Sequence, residues 1–87
     1  MENYNRIQEY DWRISYYLDD KYHRIDGPAI KFIDGTKYWY QNGKCHRIDG
    51  PAVEYSNGEK YWFYEGEEIN CKSQEEFERL IKLKLFW

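Results

Sequence analysis

Two histidines and two cysteines are the groups in this chain best suited to metal or acid–base chemistry. Their spacing argues against both uses. His23 and His46 stand 23 residues apart, and Cys45 and Cys71 lie outside any Cys-x-x-Cys pair. If 23 residues make one hairpin, the histidines sit two strand spacings apart, on the order of 9 to 10 Å. Two ligands of one zinc must each lie about 2 Å from it. The expectation is therefore no metal, no cofactor and two reduced thiols. No Ser-His-Asp or Cys-His set is legible, and paired carboxylates carry little information when 33% of residues are charged.

The string His-Arg-Ile-Asp follows each hairpin and invites a phosphotransfer reading. Ile25 and Ile48 intrude where a kinase catalytic loop has Arg next to Asp, and the chain has no Gly-rich loop. A string that recurs at equivalent positions is better explained by architecture. Asp26 and Asp49 are expected to hold the next turn through side-chain to backbone hydrogen bonds, and Arg24 and Arg47 to pair with nearby carboxylates. Asp26-Gly27-Pro28 and Asp49-Gly50-Pro51 read as bends or bulges, because proline has no N–H for a sheet ladder. No catalytic residue, and no enzyme, is expected.

The elements that position these residues come from an internal repeat. Residues 23–45 and 46–68 match at 12 of 23 positions: the shared His-Arg-Ile-Asp-Gly-Pro-Ala opening, Gly35/Gly58, the Lys-Tyr-Trp triplets at 37–39 and 60–62, and Gly43/Gly66. Residues 10–22 form a degenerate half-repeat and 1–9 an N-terminal segment. Asp34-Gly35 and Asn57-Gly58 predict two-residue type I′ turns, Asn42-Gly43 joins the hairpins, and Asp19-Asp20 and Glu65-Gly66 are weaker equivalents. The fold class is mainly β: one domain, a single antiparallel meander of about six strands, plus one C-terminal helix over 73–85. Ser73 with Glu76 fits a capping box, and Phe77, Leu80, Ile81 and Lys84 form one stripe. Leu85, Phe86 and Trp87 are expected to pack.

Two-residue loops place Ile30 opposite Trp39, Phe32 opposite Lys37, Val53 opposite Trp62 and Tyr55 opposite Lys60. That gives a core face of Ile30, Phe32, Trp39, Val53, Tyr55 and Trp62. The other face receives Tyr38, Tyr40, Tyr61 and Phe63, with Tyr17 in the half-repeat, beside Ala29, Lys31, Ala52 and Glu54. These five rings are the candidate binding residues, since a single layer with one helix leaves aromatic surface for another molecule.

Composition limits the partner. Aromatic residues make up 21% of the chain and the formal charge is −3, with acidic and basic residues interspersed. An extended nucleic acid and a membrane are both disfavoured, and the polar start predicts a cytoplasmic protein.

The stretch Tyr38 to His46 resembles the aromatic-x-x-x-Gly-x-x-His core of MORN repeats, over roughly residues 10–69. The sequence departs where His-Gly-x-Gly usually follows; the Arg-Ile-Asp-Gly-Pro-Ala continuation is similar to a variant frequent in small phage and giant-virus proteins. The resemblance implies a noncatalytic binding module. It points to a phage-encoded inhibitor acting in the host cytoplasm on a host protein, such as an antiviral defence component of the kind anti-CRISPR proteins block. Two alternatives stand beside it: a nucleotide-binding sponge that stacks bases on Tyr or Trp while Arg24 and Arg47 meet phosphates, and a structural homo-oligomer such as a homodimer.

Overall fold

The structure, a computed structural model, describes residues 3–85. Ten strands precede one helix: β1 (Arg6–Glu9), β2 (Arg13–Leu18), β3 (Lys21–Tyr22), β4 (Ile30–Phe32), β5 (Lys37–Tyr38), β6 (Tyr40–Gln41), β7 (Lys44–Cys45), β8 (Val53–Glu54), β9 (Lys60–Tyr64), β10 (Glu67–Ile69) and α1 (Gln74–Leu85). Every pairing is antiparallel and follows chain order, in a sheet β1-β2-β4-β5-β8-β9-β10. β3 adds to β2 beside β4, and β6 pairs with β7. The short pieces are halves of broken strands: β3 and β4 are separated by Asp26-Gly27-Pro28, and β7 and β8 by Asp49-Gly50-Pro51. The meander thus has seven strand lines. The additional outer line, β1, lies in the segment read from sequence as an N-terminal extension.

The register differs by one residue from the sequence expectation. Ile30 pairs with Tyr38, not Trp39, and Lys31 with Lys37; in the second repeat Val53 pairs with Tyr61 and Glu54 with Lys60. The turns explain the slip. At Asp34-Gly35 and Asn57-Gly58 only the glycines take positive φ, 98° and 95°. Gly35 N–H donates to Phe32 O at 3.0 Å and Phe32 N–H to Thr36 O at 2.9 Å, which closes a three-residue loop with glycine in the left-handed position. The Asp34 side chain selects this form by accepting the Thr36 N–H at 2.9 Å, as Asn57 does for Glu59 at 3.0 Å. Positive φ at both central residues belongs instead to Asn42-Gly43, Glu65-Gly66 and Asp19-Asp20.

A one-residue slip exchanges sheet faces. Trp39 and Trp62 still share a face, but with Tyr16, Ala29 and Ala52 rather than with Ile30, Phe32, Val53 and Tyr55. This tryptophan side holds Ala29, Ala52, Trp62 and the helix's Phe77, while Ile30 and Val53 are buried on the opposite face. Ala29, Ala52 and Phe77 are fully buried, and Trp62 is nearly so. The helix lies over its C-terminal end: the Trp62 indole donates to Gln74 Oε1 at 2.8 Å, Gln74 Nε2 donates to Ile48 O at 2.9 Å, and Lys84 pairs with Glu67 at 2.7 Å. Ser73 Oγ accepts the Glu76 N–H at 3.1 Å, as a capping residue should. Phe86, Trp87 and the Leu85 side chain, expected from sequence to pack, lie outside the described residues.

Candidate functional site

The repeated His-Arg-Ile-Asp-Gly-Pro-Ala segments form a structural clamp on the tryptophan face. His23 Nδ1 accepts the Asn42 N–H at 2.9 Å and His46 Nδ1 accepts that of Glu65 at 2.8 Å, so each imidazole ties down the turn 19 residues later. His46 also lies 5.0 Å from the Tyr64 ring. The Arg24 guanidinium lies 4.1 Å over Tyr16 and that of Arg47 3.9 Å over Trp39. Each donates to its own aspartate, Asp26 or Asp49, at 2.9 Å, and to a proline carbonyl; Arg47 also reaches Glu54 at 3.0 Å. The aspartates thus serve the arginines, where the sequence suggested that they would hold the next turn. Gly27 and Gly50 leave room for the guanidinium: a Cβ on Gly50 would come within 2.6 Å of Arg47 Cζ. Asp26 is held below the usual carboxylate range by hydrogen bonds from Asn3 and Arg24.

The five rings singled out from sequence all lie on the opposite face. Tyr17, Tyr40 and Phe63 share one rank across the sheet, and Tyr38 and Tyr61 the next, by strand alternation and register. Their companions are Ile30, Phe32, Val53 and Tyr55, the residues that the slip transfers. Tyr22, opposite Tyr17 across the Asp19-Asp20 turn, completes a chain of rings: Tyr17 to Tyr22 5.0 Å, Tyr22 to Tyr40 5.4 Å, Tyr40 to Tyr38 6.4 Å, Tyr38 to Tyr55 6.1 Å and Tyr55 to Tyr61 5.7 Å between centroids. Phe32 extends the chain to Trp12, which is 51% exposed. The sequence reading missed Tyr22, although its place opposite Tyr17 was legible from the turn. Phe32 and Tyr55 could be assigned only once the loop length was known.

Among the described residues, this tyrosine face has no covering layer. The helix, the two repeated loops and Tyr4, which packs 4.8 Å from Tyr16, all lie on the tryptophan side. Tyr55 and Tyr61 are exposed, Tyr17, Tyr38, Tyr40 and Phe63 half-buried, and Ser15, Ile30 and Val53 are buried among these rings. Burial, together with the nearby Tyr55 and Tyr40 hydroxyls and Cys45, pushes the Tyr38 phenol up to about 12. Burial also raises Tyr17 and Tyr40. These hydroxyls therefore stay protonated at neutral pH, suited to hydrogen bonding and not to proton abstraction.

Arg24 and Arg47 stand on the other side of the sheet from these tyrosines and are already engaged. Cys45 and Cys71 are both free thiols. Among the described residues, no three of His, Cys, Asp and Glu gather as metal ligands. Among the described residues, no helix is long and apolar enough to cross a membrane. No family model matches this chain, and no significant match is found among curated proteins or solved structures.

Proposed function

We propose that this chain is a non-enzymatic docking module that binds protein through its tyrosine face. The observation that carries this reading is the aromatic rank that spans the sheet without a covering layer among the described residues, while the helix, the two repeated loops and Tyr4 lie on the other side. Tyrosine suits such a surface because a large ring supplies contact area at low conformational cost and its hydroxyl supplies a hydrogen bond. The MORN-like repeat pattern supports a noncatalytic role, and its likeness to small phage and giant-virus proteins extends the reading to an inhibitor that covers a host protein in the cytoplasm.

A pull-down with the intact chain and with a Tyr55→Ser/Tyr61→Ser variant tests this. The expected result is a protein, either a host component or the chain's own second copy, retained by the first and lost with the second. Equal retention by both, or by neither, would overturn the reading. The nucleotide-sponge alternative draws less support, because the sheet separates Arg24 and Arg47 from the tyrosine face, and on their own side the two guanidinium groups already cover the Tyr16 and Trp39 rings. A rise in melting temperature with added cyclic di- or trinucleotide would reverse that preference.

A further inference from the structure

The tyrosine face carries four charged side chains outside its aromatic centre, and their positions are related by symmetry. Arg6 lies on the first strand line and Glu68 on the seventh, both in the rank of Tyr17 and Tyr40. Arg13 lies on the second line and Glu59 on the sixth, both in the rank of Phe32 and Tyr55. Each pair is centred on the fourth line, β5 and β6, which carries Tyr38 and Tyr40. Within one chain the partners cannot meet: four strand spacings separate Arg13 from Glu59 by about 19 Å, and six separate Arg6 from Glu68 by about 29 Å.

A two-fold axis running parallel to the strands, above Tyr38 and Tyr40, brings them together. It reverses strand order and keeps rank, so Arg6 of one copy faces Glu68 of the other, and Arg13 faces Glu59, at four places in all. The same operation sets Tyr61, which is 37% exposed, over the small Ser15; Ser15, Ile30 and Val53 are already buried within one chain, so the contact between copies is made by the rings that stand above them. Two sheets packed face to face in this way form an aligned sandwich about 10 Å apart, with the modest angle that strand twist imposes. The molecule measures 39 × 33 × 16 Å, a slab whose broad side is large enough for the roughly 800 Å² per partner of a stable interface.

We propose, resting on the docking reading above, that the occupant of the tyrosine face is a second copy of this chain, packed about that axis. The interface is isologous, with the same patch used by both copies. Arg13 keeps its stacking on Trp12 at 5.0 Å, Arg6 its exposed contact with Asp20 at 3.4 Å, and Glu59 the Tyr61 hydroxyl at 3.0 Å. Any other protein partner on this face competes with self-association.

Analytical ultracentrifugation of the full chain, from micromolar to millimolar concentration, provides the test. The expected result is a monomer–dimer equilibrium that weakens with salt. Arg13→Glu and Glu59→Arg should each weaken the dimer by about tenfold or more, because each sets like charges against one another twice. An equimolar mixture of the two variants should regain the lost affinity, since each then meets its complement, which a misfolded variant could not do. If either fails to fold by circular dichroism, Arg6→Glu and Glu68→Arg repeat the test on the outer pair. A chain that stays monomeric throughout, a dimer indifferent to both reversals, or a mixture no tighter than its components would overturn the proposal. A monomer that still captures another protein through Tyr55 and Tyr61 would remove the second copy and leave the docking reading standing; a monomer that captures nothing would remove both.

Discussion

His46 accepts the backbone N–H of Glu65 on its Nδ1, and only a neutral imidazole can do so. Burial holds its pKa below the ordinary 6.5, with the Glu65 carboxylate partly offsetting this. The unfolded chain therefore takes up the proton at higher pH than the folded chain. The His46 contribution to stability is complete above about pH 6.5 and is lost as pH falls through the lower folded value. Urea unfolding midpoints measured at a series of pH values should drop in this window. His46→Ala should start less stable, by roughly 1 kcal/mol for the lost hydrogen bond, and decline less steeply. Parallel curves for the two proteins would show that the imidazole is not responsible.

Gly50→Ala should destabilise the fold by about 1–3 kcal/mol, the usual cost of overpacking. The new methyl would have to displace the Arg47 guanidinium from Trp39 and Asp49. Gly27→Ala meets Arg24 Cζ at 3.1 Å and not at 2.6 Å, so it should cost less. Thermal melts of the two variants check the order, and the reverse order would contradict the clamp geometry.

Glu65 holds φ at +49°, where the equivalent residue of the preceding repeat is Asn42 at +53°. Asparagine tolerates the left-handed region better than glutamate. Glu65→Asn should therefore raise stability by about 0.5–1 kcal/mol while preserving the N–H that His46 accepts. An unchanged or lower unfolding midpoint would mean that the Glu65 side chain contributes more than its backbone costs.

Burial pushes the Cys45 thiol up to about 12, and burial with the Glu76 charge raises Cys71. Only the thiolate is nucleophilic, so both should alkylate slowly in the folded protein, Cys45 slowest, and at similar rates in urea. Mass spectrometry after timed iodoacetamide treatment reads the order directly. Fast labelling of Cys45 in the folded state would place it in a more open setting than the one described.

Much of the architecture was legible because its signals are local. The broken strands at Asp26-Gly27-Pro28 and Asp49-Gly50-Pro51 and the helix that Ser73 caps depend on residues a few positions apart, and the repeat is read directly from identities 23 positions apart. The common face of Tyr17, Tyr38, Tyr40, Tyr61 and Phe63 was legible too, since strand alternation and the 23-residue period place them together whatever the neighbouring strand does.

Their companions were not legible. Asp34-Gly35 can close a loop of two residues or of three, and the same dipeptide serves both. The choice rests on whether Asp34 and Asn57 take positive φ or turn their side chains to the Thr36 and Glu59 N–H groups, a difference of one residue in each hairpin that moves Ile30, Phe32, Val53 and Tyr55 from one face to the other. The sequence by itself determined which elements form and in what order, because propensity and turn chemistry act over short spans. Only the tertiary structure decided register, the covered face and the symmetric placement of Arg6, Arg13, Glu59 and Glu68, because those depend on which strands meet and on which side the helix finds Trp62.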